Sequence, residues 1–400
     1  MDFCRGECAL VTYLYKNLAA ASGNAKVAPG DEISLQVDLA LGHDGTGPKV
    51  LELMKQRQGE AIKSKKVVFT LDHAFPAPTI ESRKFQNEFT KMSMDNGFSL
   101  YSHGEGVLHQ VIAERERLAP GMIVAGADGH VATAGAFGVI GFALSPPQLV
   151  QLLYDGALPL TVPEQLVIDL DGKAKSNVFA RDIAMYLVQQ YGDSIKGKAV
   201  LFQGKAISAM NTSEKMSLCN YLPEGGAATA LVLPAEEFGT PSLSVNLSAI
   251  DPMIACPGEA TRFAKVEDVA GKEVTMAIAG GCSSGRLSDM EIIADVLEGR
   301  RIPETLTFVI TPASSEVANA MDKRALSVVL REAGAVIMPP GCGPCPGKHF
   351  GLLSDNDVAV TTTIRNTPGR IGSVHGEIYL ASPLTVALTA VAGKITAPLQ

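Results

Sequence analysis

Several things are missing from this 400-residue sequence: long charged or low-complexity tracts, clusters of Lys and Arg, and a signal-peptide pattern at its start. It also lacks the run of roughly 18 apolar residues that a membrane span needs and any self-similarity at the roughly 20–50-residue period of repeat proteins. With 19% charged and 46% hydrophobic residues and no polar tract, the chain is expected to fold throughout. Its length allows two to three domains with ample cores. A net charge of -8 without a basic cluster argues against nucleic acid as the partner. It does not exclude an anionic small molecule, because a few local arginines reverse the field inside one cleft. The opening MDFCRGECALVTYLYK mixes charges and lacks an apolar stretch followed by small residues. A cytoplasmic protein without a membrane partner is the expectation. Seven cysteines, an odd number, fit metal ligation or buried thiols better than a disulfide framework.

Short apolar runs rich in β-branched residues read as strands: 66–71, 121–128, 164–172, 198–204, 273–281, 305–312 and 335–340. Between them, 176–192, 288–299 and 314–334 carry helical periodicity. Strands alternating with helices of this length predict parallel sheets, so the fold class is α/β, built from doubly wound units. A proline near residue 160 and a polar segment near 268 divide the chain into three α/β domains, 1–160, 161–268 and 269–400.

The sharpest chemical signal is in the last third. Cys282 follows a predicted strand in AIAGGCSSGR, and Cys342 and Cys345 follow another in MPPGCGPCPG. Ligands in doubly wound sheets bind outside the carboxyl ends of strands, so both loops are expected at one crevice. Three thiolates admit three readings. A [4Fe–4S] cluster normally takes four Cys, so three leave one iron open as a Lewis acid. A structural zinc would take the same three with His349. Otherwise they are buried free thiols on tight turns. Cys4, Cys8, Cys219 and Cys256 read as structural.

The segments GGCSSGR, GCGPCPGKHFGLL and TTTIRNTPGRIGSVHGEIYLASP together resemble the cluster domain of the aconitase / 3-isopropylmalate dehydratase large-subunit family, with its homoaconitase relatives. Upstream, LGHDGTGP, TLDHAFPAP, EGVLHQV, GADGHVATAGAFG, VPEQLVIDLDGK and SLCNYLPEGGA stand in the family's order, so the resemblance covers nearly the whole chain. It implies three α/β domains around a cleft holding a [4Fe–4S] cluster with one open iron on Cys282, Cys342 and Cys345. Asp72 and His73 resemble the pair that protonates the departing hydroxyl. His109, Asp128 and His130 resemble the polar shell around the open iron, and Asn220 and Glu224 the residues just behind it. Arg365 and Arg370 match carboxylate-binding arginines, while His43 and Asp44 fall at a substrate-side position. The implied activity is dehydration and rehydration of a hydroxy di- or tricarboxylate, with 2-isopropylmalate/3-isopropylmalate first. Methylated malates (citramalate, 2,3-dimethylmalate), homocitrate and citrate follow. In the family the catalytic base is a serine on a separate swivelling domain. No such domain follows LASPLTVALTAVAGKITAP here, so a small partner subunit supplying that serine is expected.

The chemistry asks for these residue types on its own terms. Removing a proton beside a carboxylate builds negative charge that arginine forks and a metal stabilise. Hydroxide leaves only when protonated, which requires an acid such as His73 oriented by a carboxylate. Read singly, each residue has a plainer alternative. His109 fits a satisfied helix histidine, Asp72–His73 a strand-end turn with a helix cap, and the two arginines solvated charges. The glycines of GADGHVATAGAFG lack the G-x-G-x-x-G spacing of a dinucleotide loop. The chain departs from the family at Gly129 and Val131, where hydroxyls are usual, and at Ile364, where an asparagine is usual. It departs again in CSSG and in the Ala-Phe-Pro after His73. These changes bear on substrate choice. Two other classes of reading are an RNA-binding protein that has lost its cluster and an inactive scaffold for a partner.

Overall fold

The computed structural model describes residues 12–399, so Cys4 and Cys8 lie outside the described residues. Three parallel-stranded sheets organise the chain. The first has the order Ser99–Tyr101, Val67–Thr70, Leu39–His43, Ile123–Gly126, Ile140–Ala143, all parallel. The second runs Thr229–Val232, Ala199–Gln203, Gln165–Asp171, Leu243–Asn246, again all parallel. The third has seven strands. Its parallel part is Glu377–Ala381, Val358–Thr361, Met276–Gly280, Thr307–Thr311 and Val336–Ile337, extended antiparallel by Met253–Ala255 and Phe263–Lys265. A two-stranded ribbon, Glu32–Leu35 with Leu158–Thr161, flanks the first sheet. The third sheet thus begins at Met253, upstream of residue 268.

All seven strands expected from the sequence are present. The central strand Leu39–His43 was not expected. Its residues LALGH include no β-branched side chain, and all five are buried, so its strand form comes from lying between two neighbours rather than from propensity. The helix expected over 314–334 is two helices, Ser315–Lys323 and Leu326–Ala333, broken where Ala325 takes a left-handed conformation at φ 58°. The helix expected over 176–192 is Ala180–Ile195; its first turn is closed by Asp182, which accepts the Phe179 N–H at 2.9 Å.

Sheets one and three meet at their carboxyl ends. The Val107 N–H donates to Ala313 O at 2.8 Å and the Ser315 N–H to Glu105 O at 3.0 Å. The Ser314 hydroxyl bonds Glu114 at 2.7 Å. These latches bring the loops after strands of both sheets to a common crevice, where doubly wound folds bind ligands. No helix among the described residues is long and apolar enough to cross a membrane.

Candidate active site

A cleft of about 200 Å³ lies between the two sheets. From the first sheet it is lined by His43, Asp72, His73, His109, Asp128 and His130, and from the third by Cys282, Cys342, Cys345, Arg365 and Arg370. Ten of these eleven side chains follow directly from a strand's carboxyl end or its loop; His109 stands on the helix Leu108–Arg115.

The cysteine loops are shaped by glycine. At Gly280 (φ 131°) an added Cβ would lie 2.0 Å from the Thr311 carbonyl oxygen, so only glycine passes the chain into the short helix Gly281–Ser284 that carries Cys282. At Gly341 (φ 152°) a Cβ would lie 2.9 Å from Asp72 O. That close approach lets the Cys342 N–H donate to Asp72 O at 2.9 Å, tying the cysteine loop to the acid–histidine loop. Cys342 and Cys345 are buried, and Cys282 packs beside Cys342 against Val107 and Ala313. Burial pushes the Cys282 thiol up to about 12, with the charge of Asp128 adding to it, and burial with Asp72 drives Cys342 well above the ordinary range. Thiols buried beside carboxylates, as Cys282 and Cys342 are, favour the thiolate only when a cationic group binds them.

Opposite them stands a network of carboxylates and imidazoles. Asp44 is spent on backbone: Oδ1 accepts the N–H groups of Asp72 (3.1 Å) and His73 (2.9 Å), and Oδ2 that of Ala74 (3.0 Å). It fixes the Asp72–His73 turn and does not line the cleft. Asp72 Oδ1 bonds His73 Nδ1 at 2.7 Å, while Oδ2 accepts the Leu108 N–H at 2.7 Å. One carboxylate therefore orients an imidazole and meets the N-terminus of the helix that bears His109. Burial alone would raise Asp72, but His73 and the bonds around it outweigh burial and hold it at about 2. His43 stacks on His73 with centroids 4.1 Å apart and 7° between the rings.

Asp128 gathers three histidines. Oδ1 accepts from His109 Nε2 at 2.8 Å and from the His130 N–H at 2.6 Å. Oδ2 is 3.0 Å from His43 Nε2, close but off the axis of an aligned hydrogen bond. His130 Nε2 continues to Glu224 Oε1 at 2.8 Å, and the same oxygen accepts from Arg365 Nε at 2.9 Å. Burial lowers His130, but the bonds to Asp128 and Glu224 prevail and bring it to about 9. Burial lifts Glu224; His130 and Arg365 more than offset it and leave the carboxylate below its usual range. His109 Nδ1 is buried without a protein partner.

Asn220, on the helix Thr212–Tyr221, donates to Thr133 Oγ1 at 2.8 Å and approaches Cys282 Sγ at 3.5 Å. Arg370 points Nη2 at Cys345 Sγ, 3.8 Å away, and its Nε is buried without a partner. At Gly129 an added Cβ would sit 2.6 Å from Arg365 Nη2, so the missing side chain is the space Arg365 occupies. Ile364 is buried and lines the cleft. The zinc set with His349 does not form: His349 Nε2 bonds Pro76 O at 3.0 Å and Nδ1 accepts the Phe350 N–H at 2.9 Å, so both ring nitrogens are engaged. Cys219 is buried in the core shared by the second and third sheets, and Cys256 packs on the third sheet's core. Sequence reasoning missed Lys348 and Thr46 at the cleft. Lys348 Nζ reaches Gly45 O at 3.3 Å, and its place three residues past Cys345 was the available signal.

The two sequence comparisons agree on the family. A sequence model of the Aconitase family (aconitate hydratase) matches residues 16–240 and 240–393. A probable methanogen homoaconitase large subunit of Methanothermobacter thermautotrophicus is 33% identical over 96% of this chain and 97% of its own length. A 3-isopropylmalate dehydratase large subunit 1 of Methanopyrus kandleri is 33% identical over 97% of this chain and 98% of its own. Another from Thermococcus kodakarensis is 34% identical over 92% of this chain and 96% of its own. In fold, aconitase X of Thermococcus kodakaraensis (holo-form) superposes over 100% of both chains with a TM-score of 0.57 at 14% identity. With the family sequence model spanning nearly the whole chain and relatives a third identical end to end, this chain belongs to the aconitase family.

Proposed function

We propose that this chain is the cluster-bearing large subunit of a hydro-lyase that removes and re-adds water on a hydroxy di- or tricarboxylate. One observation carries the reading: three cysteine thiols, two arginines and two acid–histidine networks line a single cleft. The donor set fits an iron–sulfur cluster. Burial beside carboxylates disfavours the thiolates of Cys282 and Cys342 unless a cationic group joins them, and Asn220 offers an N–H to one sulfur and Arg370 a guanidinium to another. Cys282, Cys342 and Cys345 would hold it. When bound it supplies a Lewis acid that polarises the substrate's hydroxyl.

The chain's own residues do the rest. Asp72 fixes His73 through Nδ1, which leaves Nε2 as the ring nitrogen that passes a proton to the departing hydroxyl. Arg365 is held by Nε on Glu224, so its terminal nitrogens are free for a substrate carboxylate; Arg370 is the second anchor. Both meet the charge that grows on the carboxylate when the neighbouring carbon loses its proton. Asp128 and Glu224 hold His109 and His130 in place around the cleft. The base that removes the carbon-bound proton is a serine brought by a small subunit. Among substrates, 2-isopropylmalate/3-isopropylmalate comes first, in keeping with relatives named for that activity. Homocitrate, citramalate and 2,3-dimethylmalate are the alternatives, since Gly129 and Ile364 alter the lining where substrate choice is made.

The test is anaerobic reconstitution with iron and sulfide, followed by mixing with a small subunit and following the unsaturated acid by its ultraviolet absorbance. The expected result is about four irons per chain and turnover only in the mixture. Stoichiometric zinc in place of iron, or no turnover of any substrate named here, would sink the reading.

A further inference from the structure

Behind the Cys282 loop, on the side away from the cleft, two arginines are buried where no anion meets them. Arg286 is 2% exposed and Arg181 is 3% exposed. Arg286 donates from Nη2 to Cys282 O at 2.6 Å and from Nη1 to Ser217 Oγ (3.0 Å) and Ser283 O (3.2 Å). Arg181 donates from Nη1 to Thr363 O at 2.9 Å and from Nη2 to Thr362 O, with its guanidinium 5.6 Å from the Tyr221 ring centroid. Thr362 and Thr363 lead directly into Ile364 and Arg365. The two guanidiniums thus grip the two loops that carry Cys282 and Arg365, and those loops are laced to each other where Ser283 Oγ donates to Thr362 O at 2.6 Å.

Every partner of these guanidiniums is a neutral oxygen or a ring, and Nε of each is buried with no partner at all. Among the described residues neither forms an ion pair with a carboxylate. Two acids pack nearby, and both are committed elsewhere. Asp289 Oδ2 accepts the Arg286 backbone N–H at 3.0 Å, and burial holds its carboxyl above the usual range. Asp182 accepts the Met253 and Phe179 N–H groups at 2.8 and 2.9 Å, and burial lifts it to about 7. A buried charge without a counter-ion is among the most costly features a fold can carry. Hydrogen bonds to carbonyls explain how the guanidiniums are held; they do not supply the missing negative charge. After Asp289, the group whose negative charge reaches Arg286 is Cys282, on the other face of the same short loop and directed at the cleft with Cys342 and Cys345. Ligated thiolates would supply that charge.

We propose that Arg286 and Arg181 are positioning residues that set the Cys282 loop from behind and provide the fixed positive charge balancing a thiolate-bound anionic cluster in front. The inference rests on the cluster reading above and adds to it a pair of residues that touch neither substrate nor cleft. Their charge favours the ligated state, slows loss of iron and raises the potential at which the cluster accepts an electron.

The test uses the full chain, reconstituted anaerobically, as wild type, Arg286→Lys, Arg286→Gln and Arg181→Gln. Three properties are read: the cluster's midpoint potential by spectroelectrochemical titration, the half-life of bound iron under a chelator, and the difference in Tm between loaded and cluster-free protein. Arg286→Gln is expected to move the potential to more negative values, shorten the iron half-life several-fold and shrink the Tm difference. Arg286→Lys keeps the charge but loses the fork, so it should retain the wild-type potential. Arg181→Gln should shift the potential in the same direction and serves as the second probe if Arg286→Gln does not fold. Glutamine variants with the wild-type potential, or a lysine variant that shifts as far as the glutamine one, would reduce the arginines to structural anchors and overturn the proposal. Wild-type protein that takes up no iron would overturn the cluster reading together with it, which is a distinct result.

Discussion

The two walls of the cleft solve the same problem in opposite ways. On the wall from the first sheet every carboxylate is already satisfied by the protein. Asp44 takes three backbone N–H groups, Asp72 an imidazole and a helix N-terminus, and Asp128 the groups of three histidines. On the wall from the third sheet less is satisfied. Burial pushes the Cys282 and Cys342 thiols upward, and Arg370 Nε has no partner. The first wall is preorganised by folding alone, whereas the second, under the proposed function, would be completed by a bound cluster. Catalytic groups need fixed orientation before substrate arrives, while ligands for an inorganic cluster are paired only when the cluster comes.

The contrast can be broken most sharply from the cysteine side. Serine at Cys282, Cys342 or Cys345 should cut reconstituted iron from about four per chain to below about one, while circular dichroism of the cluster-free protein stays unchanged. Wild-type iron content in all three variants would remove the cysteine wall's distinct role. On the other wall, Asp72→Asn should leave iron content intact and lower kcat by about 10²–10⁴-fold, because it loses the charge that orients and supports His73. Iron loss in that variant would mean the walls are not separable.

A smaller effect tests how complete the first wall is in the absence of any ligand. His130 is raised from 6.5 to about 9 in the fold. A folded value above the unfolded one stabilises fully below about pH 6.5 and is lost as pH rises through about 9. At roughly 1.4 kcal/mol per unit this is worth up to about 3 kcal/mol. Denaturant midpoints of cluster-free protein should therefore fall between pH 7 and 10, and His130→Gln should flatten that slope. The smallest effect probes the seam where the walls touch. Gly129→Ser puts a Cβ 2.6 Å from Arg365 Nη2 and should displace that guanidinium. The expected result is a rise in KM of about tenfold with little change in kcat, roughly 1.4 kcal/mol of uniform binding. A fall in kcat instead would give Arg365 a role in the chemical step.

Much of this was legible before the structure. Cys282 at the end of one predicted strand, and Cys342-x2-Cys345 after another, already imply a shared crevice, because βαβ units place such loops on one edge. Asp72–His73 and Asp128–His130 were singled out by the family resemblance, and each pair follows an apolar run that reads as a strand. His109 was singled out by the same resemblance, but taken by itself VLHQV reads equally well as an ordinary helix, and the closeness of its Nε2 to Asp128 is what places it. The strand Leu39–His43 was not legible, since its residues have no strand propensity of their own.

What the sequence determined by itself is local and periodic: which runs become strands and helices, where glycine allows a loop to turn, and which side chains with usable chemistry end up in those loops. Tertiary structure alone decided the pairings. It committed Asp44 to backbone and Asp72 to both an imidazole and a distant helix, engaged both nitrogens of His349, filled the space at Gly129 with Arg365, and buried Arg181 and Arg286 behind Cys282. The physical reason is the reach of the interactions. Propensity and alternation act over a few residues and are written along the chain, whereas burial, charge and hydrogen bonding act through space, between groups that only the packing of the sheets brings within 3 or 4 Å of one another.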